Sequence, residues 1–187
     1  MYTTTDFRRG LKIEIDGEPF IMLEFQHVKP GKGGAFVRTK LKSLTSGNVL
    51  DRTFKAGDKV DKPDLEEKQM QYLYSQADEY FFMDSSSYDQ HLIERQHLGG
   101  TEDFLQENLQ VTVLFHNGRP LTLELPNFVE LEVIKTDPGV KGDTASGGTK
   151  PATLETQAII QVPLFINEGD RIRVDTRTRQ YVERAKD

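Results

Sequence analysis

The sequence predicts an all-β protein made of three consecutive small β units of similar size. Three observations predict this organisation: short strand-like runs dominate the chain, turn signals separate them, and net charge changes sharply from one part to the next. The expected divisions are residues 1–64, 65–128 and 129–187. Each division holds enough strands for a small barrel or a half-open sandwich.

The first unit starts with the runs "LKIEI" and "PFIMLEFQHV", and Asp16-Gly17 between them is typical of a tight hairpin. A glycine-rich loop, "PGKGG", then leads into "AFVRTKLKSL". Side chains in that run alternate between the two faces of the predicted strand. One face carries Ala35, Val37, Thr39 and Leu41, and the other carries Phe36, Arg38, Lys40 and Lys42. The turn "TSGN" and the run "VLDRTF" complete four or five antiparallel strands.

The charged segment "AGDKVDKPDLEEK" predicts a linker to the second unit. That unit holds "QMQYLYSQADEYFFMD", a hairpin turned at Asn117-Gly118, and "GGTEDFLQENLQ", which predicts one short helix with Thr101 as its N-cap. The third unit carries the long loop "DPGVKGDTASGGTKP", followed by strand, turn (167–169) and strand.

Composition excludes several classes of function. The 187 residues include no cysteine, so a disulfide framework, a thiolate metal site and a cysteine nucleophile are all excluded. The N-terminus lacks the apolar core of a signal peptide, and no apolar run approaches membrane-spanning length. We therefore expect a soluble, cytoplasmic protein without a membrane partner.

Charge is spread unevenly behind the total of −6. The first unit has 12 Lys and Arg against 9 Asp and Glu, the second has 3 against 11, and the third has 9 against 10. Five cations and no carboxylate lie between Gln26 and Lys42. Such a basic stretch is suited to contact phosphates.

No arrangement of residues predicts catalysis. The four histidines are scattered, the serines at 85–87 lack a nucleophile elbow, and no carboxylate pair is marked by apolar surroundings or a histidine. The loop 142–150 approaches the phosphate-binding pattern but has Gly148 where lysine is required, and Lys150 comes too late. We expect no enzyme activity, no metal and no cofactor.

The loop around Lys32 lies between two extended runs, so it predicts a hairpin tip. Its glycines permit positive φ and remove neighbouring side chains, which leaves one long cation projecting from the end of a small barrel. Two interpretations fit these residues. The loop is either an ordinary turn with a solubilising lysine, or a projecting lysine that reaches a binding partner and is supported by a basic strand. The pattern alone leaves the two open.

The chain is similar to the bacterial elongation factor P family over essentially its whole length. The similarity is carried by "DFRRGLKIEIDG", "FQHVKPGKGGAFVRTKL", "QYLY…FMD…SY", "ELPNFVELEV", "DPGVKGDTASGGTKPATLET" and "VPLFINEGDRIRVDTRT". The resemblance implies three β-barrel domains: an SH3-like (KOW-type) domain at 1–64, an acidic OB-like domain at 65–128 and an OB-like domain at 129–187. It also implies an L-shaped, tRNA-like arrangement.

The resemblance further implies a non-enzymatic factor that binds the 70S ribosome beside peptidyl-tRNA and relieves stalling at consecutive prolines. Lys32 would stabilise the CCA end of that tRNA, extended by a lysine-modifying enzyme. Implied partners are the ribosome, its rRNA, peptidyl-tRNA and that enzyme, with the factor itself a monomer.

The expected site residues fall into three groups. The tip comprises Lys32 with Pro30, Gly31, Gly33 and Gly34. The candidate contacts to RNA phosphates are Lys29, Arg38, Lys40 and Lys42. The candidate loop toward the small subunit and mRNA comprises Gly142, Asp143, Thr144, Gly147, Gly148, Thr149 and Lys150.

Two departures from the family pattern concern the third domain. Gln157 stands where the family usually has glycine, and Arg179-Gln180 stands where it usually has Gly-Glu. The alternative to a proline-specific factor is a general OB-type RNA-binding module associated with the ribosome. In that module, the aromatics of "QYLY" at 71–74 would be stacking platforms.

Overall fold

The computed structural model describes residues 1–138 and 147–186. Within these ranges the chain is all-β: it forms sixteen strands and three short 3₁₀ segments, with no α-helix. No helix among these residues is long and apolar enough to cross a membrane. The all-β prediction is confirmed.

The first six strands belong to the N-terminal part of the chain. They are β1 (Tyr2–Thr3), β2 (Lys12–Ile15), β3 (Glu18–Val28), β4 (Phe36–Ser43), β5 (Val49–Lys55) and β6 (Lys59–Val60). Strands β2 to β5 form an antiparallel sheet in chain order, and β1 pairs with β6. The segment predicted as a linker therefore also supplies a strand, because Val60 is buried in the N-terminal core and pairs with Tyr2.

Local sequence signals set the turns of this sheet. Asp16 and Gly17 have φ of 52° and 80°, as a two-residue hairpin turn with two positive-φ positions requires. Asn117 and Gly118, at 50° and 75°, do the same in a later hairpin. Both predicted hairpins are confirmed.

Alternation along β4 is also confirmed. Val37 and Leu41 are fully buried in a core with Ile13, Met22 and Phe54, while Arg38 lies exposed on the opposite face. The register of β3 against β4 shifts between Met22 and Glu24, which marks a β-bulge.

Five strands form the central sheet: β7 (Leu65–Gln76), β8 (Glu79–Asp84), β9 (Gln90–Glu94), β10 (Gln110–His116) and β11 (Arg119–Glu124). Their order in the sheet is β11-β10-β7-β8-β9. The predicted helix after β9 is a four-residue 3₁₀ segment, Thr101–Phe104, and its N-cap is Gly100. The prediction of Thr101 as N-cap is wrong because Gly100 takes the left-handed conformation, and the Thr101 hydroxyl donates backwards to the Leu98 carbonyl.

Five further strands form the third sheet: β12 (Phe128–Thr136), β13 (Thr149–Leu154), β14 (Ile159–Pro163), β15 (Arg171–Asp175) and β16 (Gln180–Arg184). Their order is β14-β13-β12-β15-β16, and β14 also contacts β16, which makes the sheet barrel-like. Its core includes Leu131, Leu154, Ile166 and Ile172, together with Phe104 from the 3₁₀ segment. Packing of Phe104 into this core explains why the helix stops after one turn.

The chain divides into two compact units. One comprises Met1–Glu67 with Leu114–Thr122, and the other comprises Lys68–Val113 with Leu123–Asp187. The three domain boundaries expected from the sequence stay a prediction.

The two family departures lie at left-handed positions. Gln157 has φ of 72° and Arg179 has φ of 59°, where a side chain is strained and glycine is not. The Arg179 guanidinium pairs with the Asp103 carboxylate, and its Cζ atom lies 5.0 Å from the centre of the Phe104 ring. Arg179 thus has compensating contacts, whereas Gln157 is exposed with only its backbone N–H bonded, to Leu154 O at 2.8 Å, among the hydrogen bonds of the residues described.

Replacing Gln157 with glycine relieves backbone strain without removing a bonded side chain. We expect Gln157→Gly to raise the free energy of unfolding by about 0.5–1 kcal/mol, measured by urea denaturation of the full chain. Arg179→Gly is the matched comparison at the same kind of backbone position. Because it also removes the contacts to Asp103 and Phe104, its gain should be smaller or negative. An unchanged or lower stability for Gln157→Gly would show that position 157 is not strained.

Candidate functional site: a lysine tip and two faces of one sheet

The hairpin of β3 and β4 carries the predicted tip. Its last cross-strand pair joins Val28 to Phe36, so residues 29–35 form the connecting loop. The Ala35 carbonyl accepts a hydrogen bond from Ala56 N at 3.0 Å, which ties the base of the loop to the residue after β5. Lys32 is exposed at the tip, and no carboxylate or acceptor among the described residues contacts its ammonium group.

The tip glycines serve different purposes. Gly33 has φ of 101°, a conformation that residues with a side chain rarely adopt. Gly31 and Gly34 have ordinary φ, and a Cβ added to either would meet no atom within 4 Å. The backbone therefore requires only Gly33, and the other two glycines keep the tip narrow.

One face of β4 presents the predicted phosphate contacts. Arg38 and Lys42 are exposed, and neither has a carboxylate within 4.0 Å in the described part of the chain. Lys40 differs, because its Nζ lies 3.9 Å from a Glu24 carboxylate oxygen and its other cross-strand neighbour is Asp51. Lys29 lies in the loop beside the tip and is exposed. The structure thus places the four cations on one hairpin, and their RNA contacts stay a prediction.

A groove on the N-terminal sheet was not predicted from the sequence. It has a volume of about 590 Å³, and its lining includes Arg9, Phe25, Thr39 and Arg52, together with the cations Arg38 and Lys40 and the acidic residues Glu24 and Asp51. Phe25 and Arg52 lie directly opposite Thr39 on the two neighbouring strands, so these side chains share the face of the sheet that bears the core. No local signal predicts this grouping. Phe25 is 39% exposed, which only the structure shows.

The predicted loop of the third domain is only partly described. Gly142, Asp143 and Thr144 lie outside the described residues. Of the remaining members, Gly147 and Thr149 are exposed, and Gly148 is half-buried. Lys150 is buried, and its ammonium group donates to the Asp137 carbonyl. An RNA contact by Lys150 would first have to break that bond, and the role of this loop stays a prediction.

The histidines occupy separate places. His116 is half-buried with Nε2 3.1 Å from a Glu14 carboxylate oxygen, and the His27 ring packs edge-on against Phe25 at 5.8 Å between ring centres. Over residues 1–138 and 147–186, no group of three or more His, Asp or Glu side chains is placed to hold a metal ion.

Comparison with known families covers nearly the whole chain. Three family models match: the elongation factor P KOW-like domain over residues 3–60, the elongation factor P OB domain over 65–123, and the elongation factor P C-terminal domain over 129–184. The chain belongs to the elongation factor P family.

Individual relatives agree with this membership. Elongation factor P of Natranaerobius thermophilus is 58% identical, covering 100% of this chain and 99% of its own length. Elongation factor P of Nitratidesulfovibrio vulgaris is 55% identical, covering 98% of this chain and all of its own length. The predicted KOW-like and OB-like domains are therefore confirmed as the fold of this chain.

Solved structures support the same fold. Eukaryotic translation initiation factor 5A from Methanococcus jannaschii matches with a TM-score of 0.54 at 20% identity, covering 66% of this chain and 93% of that structure. A translation initiation factor 5A family protein from Naegleria fowleri matches with a TM-score of 0.55 at 13% identity, covering 66% and 96%.

The backbone of the tip predicts different responses to two alanine substitutions. Gly33→Ala forces a side chain into a conformation that costs roughly 1–2 kcal/mol, so the loop should rearrange. We expect large changes in the NMR amide shifts of Gly31 and Lys32, with only a small decrease in the unfolding midpoint, because rearrangement of an exposed loop avoids most of that cost. Gly34→Ala should leave those shifts almost unchanged. Equal perturbation by the two variants would contradict a special role for the Gly33 conformation.

Proposed function

We propose that this protein binds the 70S ribosome beside peptidyl-tRNA and stimulates peptide-bond formation, which relieves stalling at consecutive prolines. Membership in the elongation factor P family supports the identification of the protein as a translation elongation factor that associates with the ribosome. The action is proposed for the cytoplasm, as a monomer without a cofactor or an enzymatic activity of its own.

One observation carries the proposal: Lys32 is exposed at the end of a narrow hairpin, and none of the described residues pairs with it. Lys32 projects between glycines, and the described residues give its ammonium group no hydrogen bond or ion pair. Such a side chain is free to bond an external acceptor such as an RNA phosphate or a ribose hydroxyl. A tip without bulky neighbours also fits a crowded RNA cleft better than an ordinary turn does.

The proposed chemistry is positioning. Proline fixes φ through its ring, so a proline at the reacting end of the nascent chain is poorly placed for peptide-bond formation. Holding the CCA end of peptidyl-tRNA in a reactive orientation lowers the activation free energy of peptide-bond formation, because less entropy is then lost on reaching the transition state. Lys32 is proposed to hold that end, while the ribosome supplies the catalysis.

The other candidate residues are proposed to position the factor. Arg38 and Lys42, exposed on the outer face of β4 and without a carboxylate partner among the described residues, are suited to bind phosphates, with Lys29 beside the tip. Lys40 should contribute less because Glu24 already offsets its charge. The loop 142–150 is proposed to approach the small subunit and mRNA.

Lys32 is also proposed as the substrate of a lysine-modifying enzyme. An exposed amine flanked by glycines is accessible to such an enzyme and leaves room for a longer side chain. Mass spectrometry of the peptide containing Lys32, from protein purified from its native host, tests this proposal. Added mass on Lys32 would support it, and an unmodified lysine in an actively growing host would refute it.

The central test removes the tip charge. In a translation system lacking its own factor, Lys32→Ala should reduce the relief of stalling at a proline run by at least about tenfold, while the urea unfolding midpoint stays unchanged. Lys62→Ala is the matched control, since Lys62 is an exposed lysine outside the tip and the basic face of β4. Equal relief by wild type and Lys32→Ala would refute the role proposed for the tip.

A general RNA-binding module is the second candidate. Tyr74 is 51% exposed and stacks on Phe81 with ring centres 4.6 Å apart, which offers a platform for RNA bases. Glu79 of β8 lies opposite Glu94 of β9 in the same sheet, and the negative charge of these two side chains disfavours phosphate binding there. Binding to free single-stranded RNA as tight as binding to ribosomes, and lost in Tyr74→Ala, would favour this candidate.

A further inference from the structure

The groove on the core-bearing face of the N-terminal sheet has no role in the function proposed above. Its centre is a cross-strand row in which Thr39 of β4 lies between Phe25 of β3 and Arg52 of β5. Thr39 is buried, and its hydroxyl donates to the Arg52 carbonyl at 2.7 Å, so it forms a fixed floor. Arg9 adds a second guanidinium from the segment that precedes β2.

A β-bulge decides which side chain faces this groove. Met22 pairs with Leu41, and after the register shift Glu24 pairs with Lys40 and Phe25 with Thr39. Without the extra residue, the regular register would place Glu24 opposite Thr39, on the groove side, and turn Phe25 to the other face. The bulge therefore places the Phe25 ring, and not the Glu24 side chain, beside Thr39, while Glu24, which is ion-paired with Lys40, still contributes to the lining of the groove.

Cations outnumber carboxylates in the lining of the groove, with Arg9, Arg38, Lys40 and Arg52 against Glu24 and Asp51. Neither Arg9 nor Arg52 has a carboxylate within 4.0 Å among residues 1–138 and 147–186. The Cζ atom of Arg52 lies 5.4 Å from the centre of the Phe54 ring, which holds the guanidinium without neutralising it. Phe25 touches the His27 ring only edge-on and remains 39% exposed.

These features resemble the way proteins hold unpaired nucleotides. Single-stranded RNA is bound by stacking its bases on aromatic rings while cations contact the backbone. A volume of about 590 Å³ lies within the usual range of pockets for small molecules. A duplex offers no free base face, so an exposed ring favours a base that is unpaired.

We propose that this groove binds one unpaired nucleotide of RNA, with its base stacked on Phe25 and its phosphate between Arg9 and Arg52. The inference rests on the proposed function, because it takes the RNA to be that of a ribosome carrying peptidyl-tRNA. It adds a contact surface around Thr39 to the one formed by the outer cations of β4, and Arg38, which also lines the groove, adjoins both surfaces.

The first test changes the ring. Phe25→Leu keeps an apolar side chain but removes the stacking surface, so affinity for ribosomes carrying peptidyl-tRNA should fall about tenfold. Phe25→Tyr keeps the ring and should restore binding. Tyr88→Leu is the matched control, because Tyr88 is a 72% exposed aromatic residue in a turn of the central sheet. Full affinity in Phe25→Leu, or failure of Phe25→Tyr to rescue, would overturn the inference.

The second test asks what touches the groove. A benzophenone side chain in place of Phe25, introduced as p-benzoylphenylalanine, should cross-link to an unpaired RNA nucleotide, with the same group in place of Tyr88 as the comparison. Cross-links to protein, to a paired nucleotide, or to nothing would overturn the proposal.

Arg52→Gln should also lower the slope of log affinity against log salt by about 0.7, the value for one phosphate contact to a single strand. An unchanged slope would remove the phosphate part of the proposal.

The outcomes separate this inference from the proposed function. If Phe25→Leu binds normally while Lys32→Ala fails to relieve stalling, the groove inference is overturned and the proposed function stands. If wild-type protein neither binds ribosomes nor relieves stalling, both are overturned. Unfolding midpoints of all variants verify that lost binding is not lost folding.

Discussion

The pairing of β3 with β4 is the interaction on which the candidate site depends. Its hydrogen bonds extend to Val28 and Phe36, and they carry the backbone that presents Lys32. The same register assigns every side chain of the two strands to one face or the other, and a slip of one residue would exchange the faces. The position of the tip, the exposure of Arg38 and the burial of Val37 are therefore consequences of one register. The apolar core, through Met22 and Leu41, holds that register.

Features set by adjacent residues could be predicted from the sequence, and features set by distant packing could not. The turns at Asp16-Gly17 and Asn117-Gly118, and the alternation along β4, are local, and the structure confirms them. The bulge after Met22 has no glycine or proline to mark it, so the sequence predicts neither the bulge nor the face of the sheet on which Phe25 lies. The helix predicted from Thr101 onward is only a four-residue 3₁₀ segment, because Phe104 packs into the core of the third sheet.

The left-handed residues show how contacts between distant segments substitute for glycine. Arg179 adopts a strained φ, yet its guanidinium pairs with Asp103 and stacks near Phe104, so the side chain that strains the backbone also stabilises the unit. Gln157 adopts a similar φ without such contacts among the residues described. Replacing a glycine at a left-handed position therefore does not change the free energy of unfolding by one fixed amount. Its effect depends on what the new side chain touches.

Charge provides the remaining constraint on how this protein would meet RNA. Residues 65–128 contain 11 acidic against 3 basic residues, so phosphates are repelled there, whereas residues 1–64 have a basic excess. Long-range attraction to RNA would therefore act mainly on the segment that bears the tip. Cations without a carboxylate partner in the described part of the chain lie on both faces of its sheet, Arg38 and Lys42 on one and Arg52 on the other. The attraction therefore brings the hairpin toward RNA without selecting a face. Short-range contacts must then select it, and stacking on Phe25 is directional in a way that a lysine's contact with a phosphate is not.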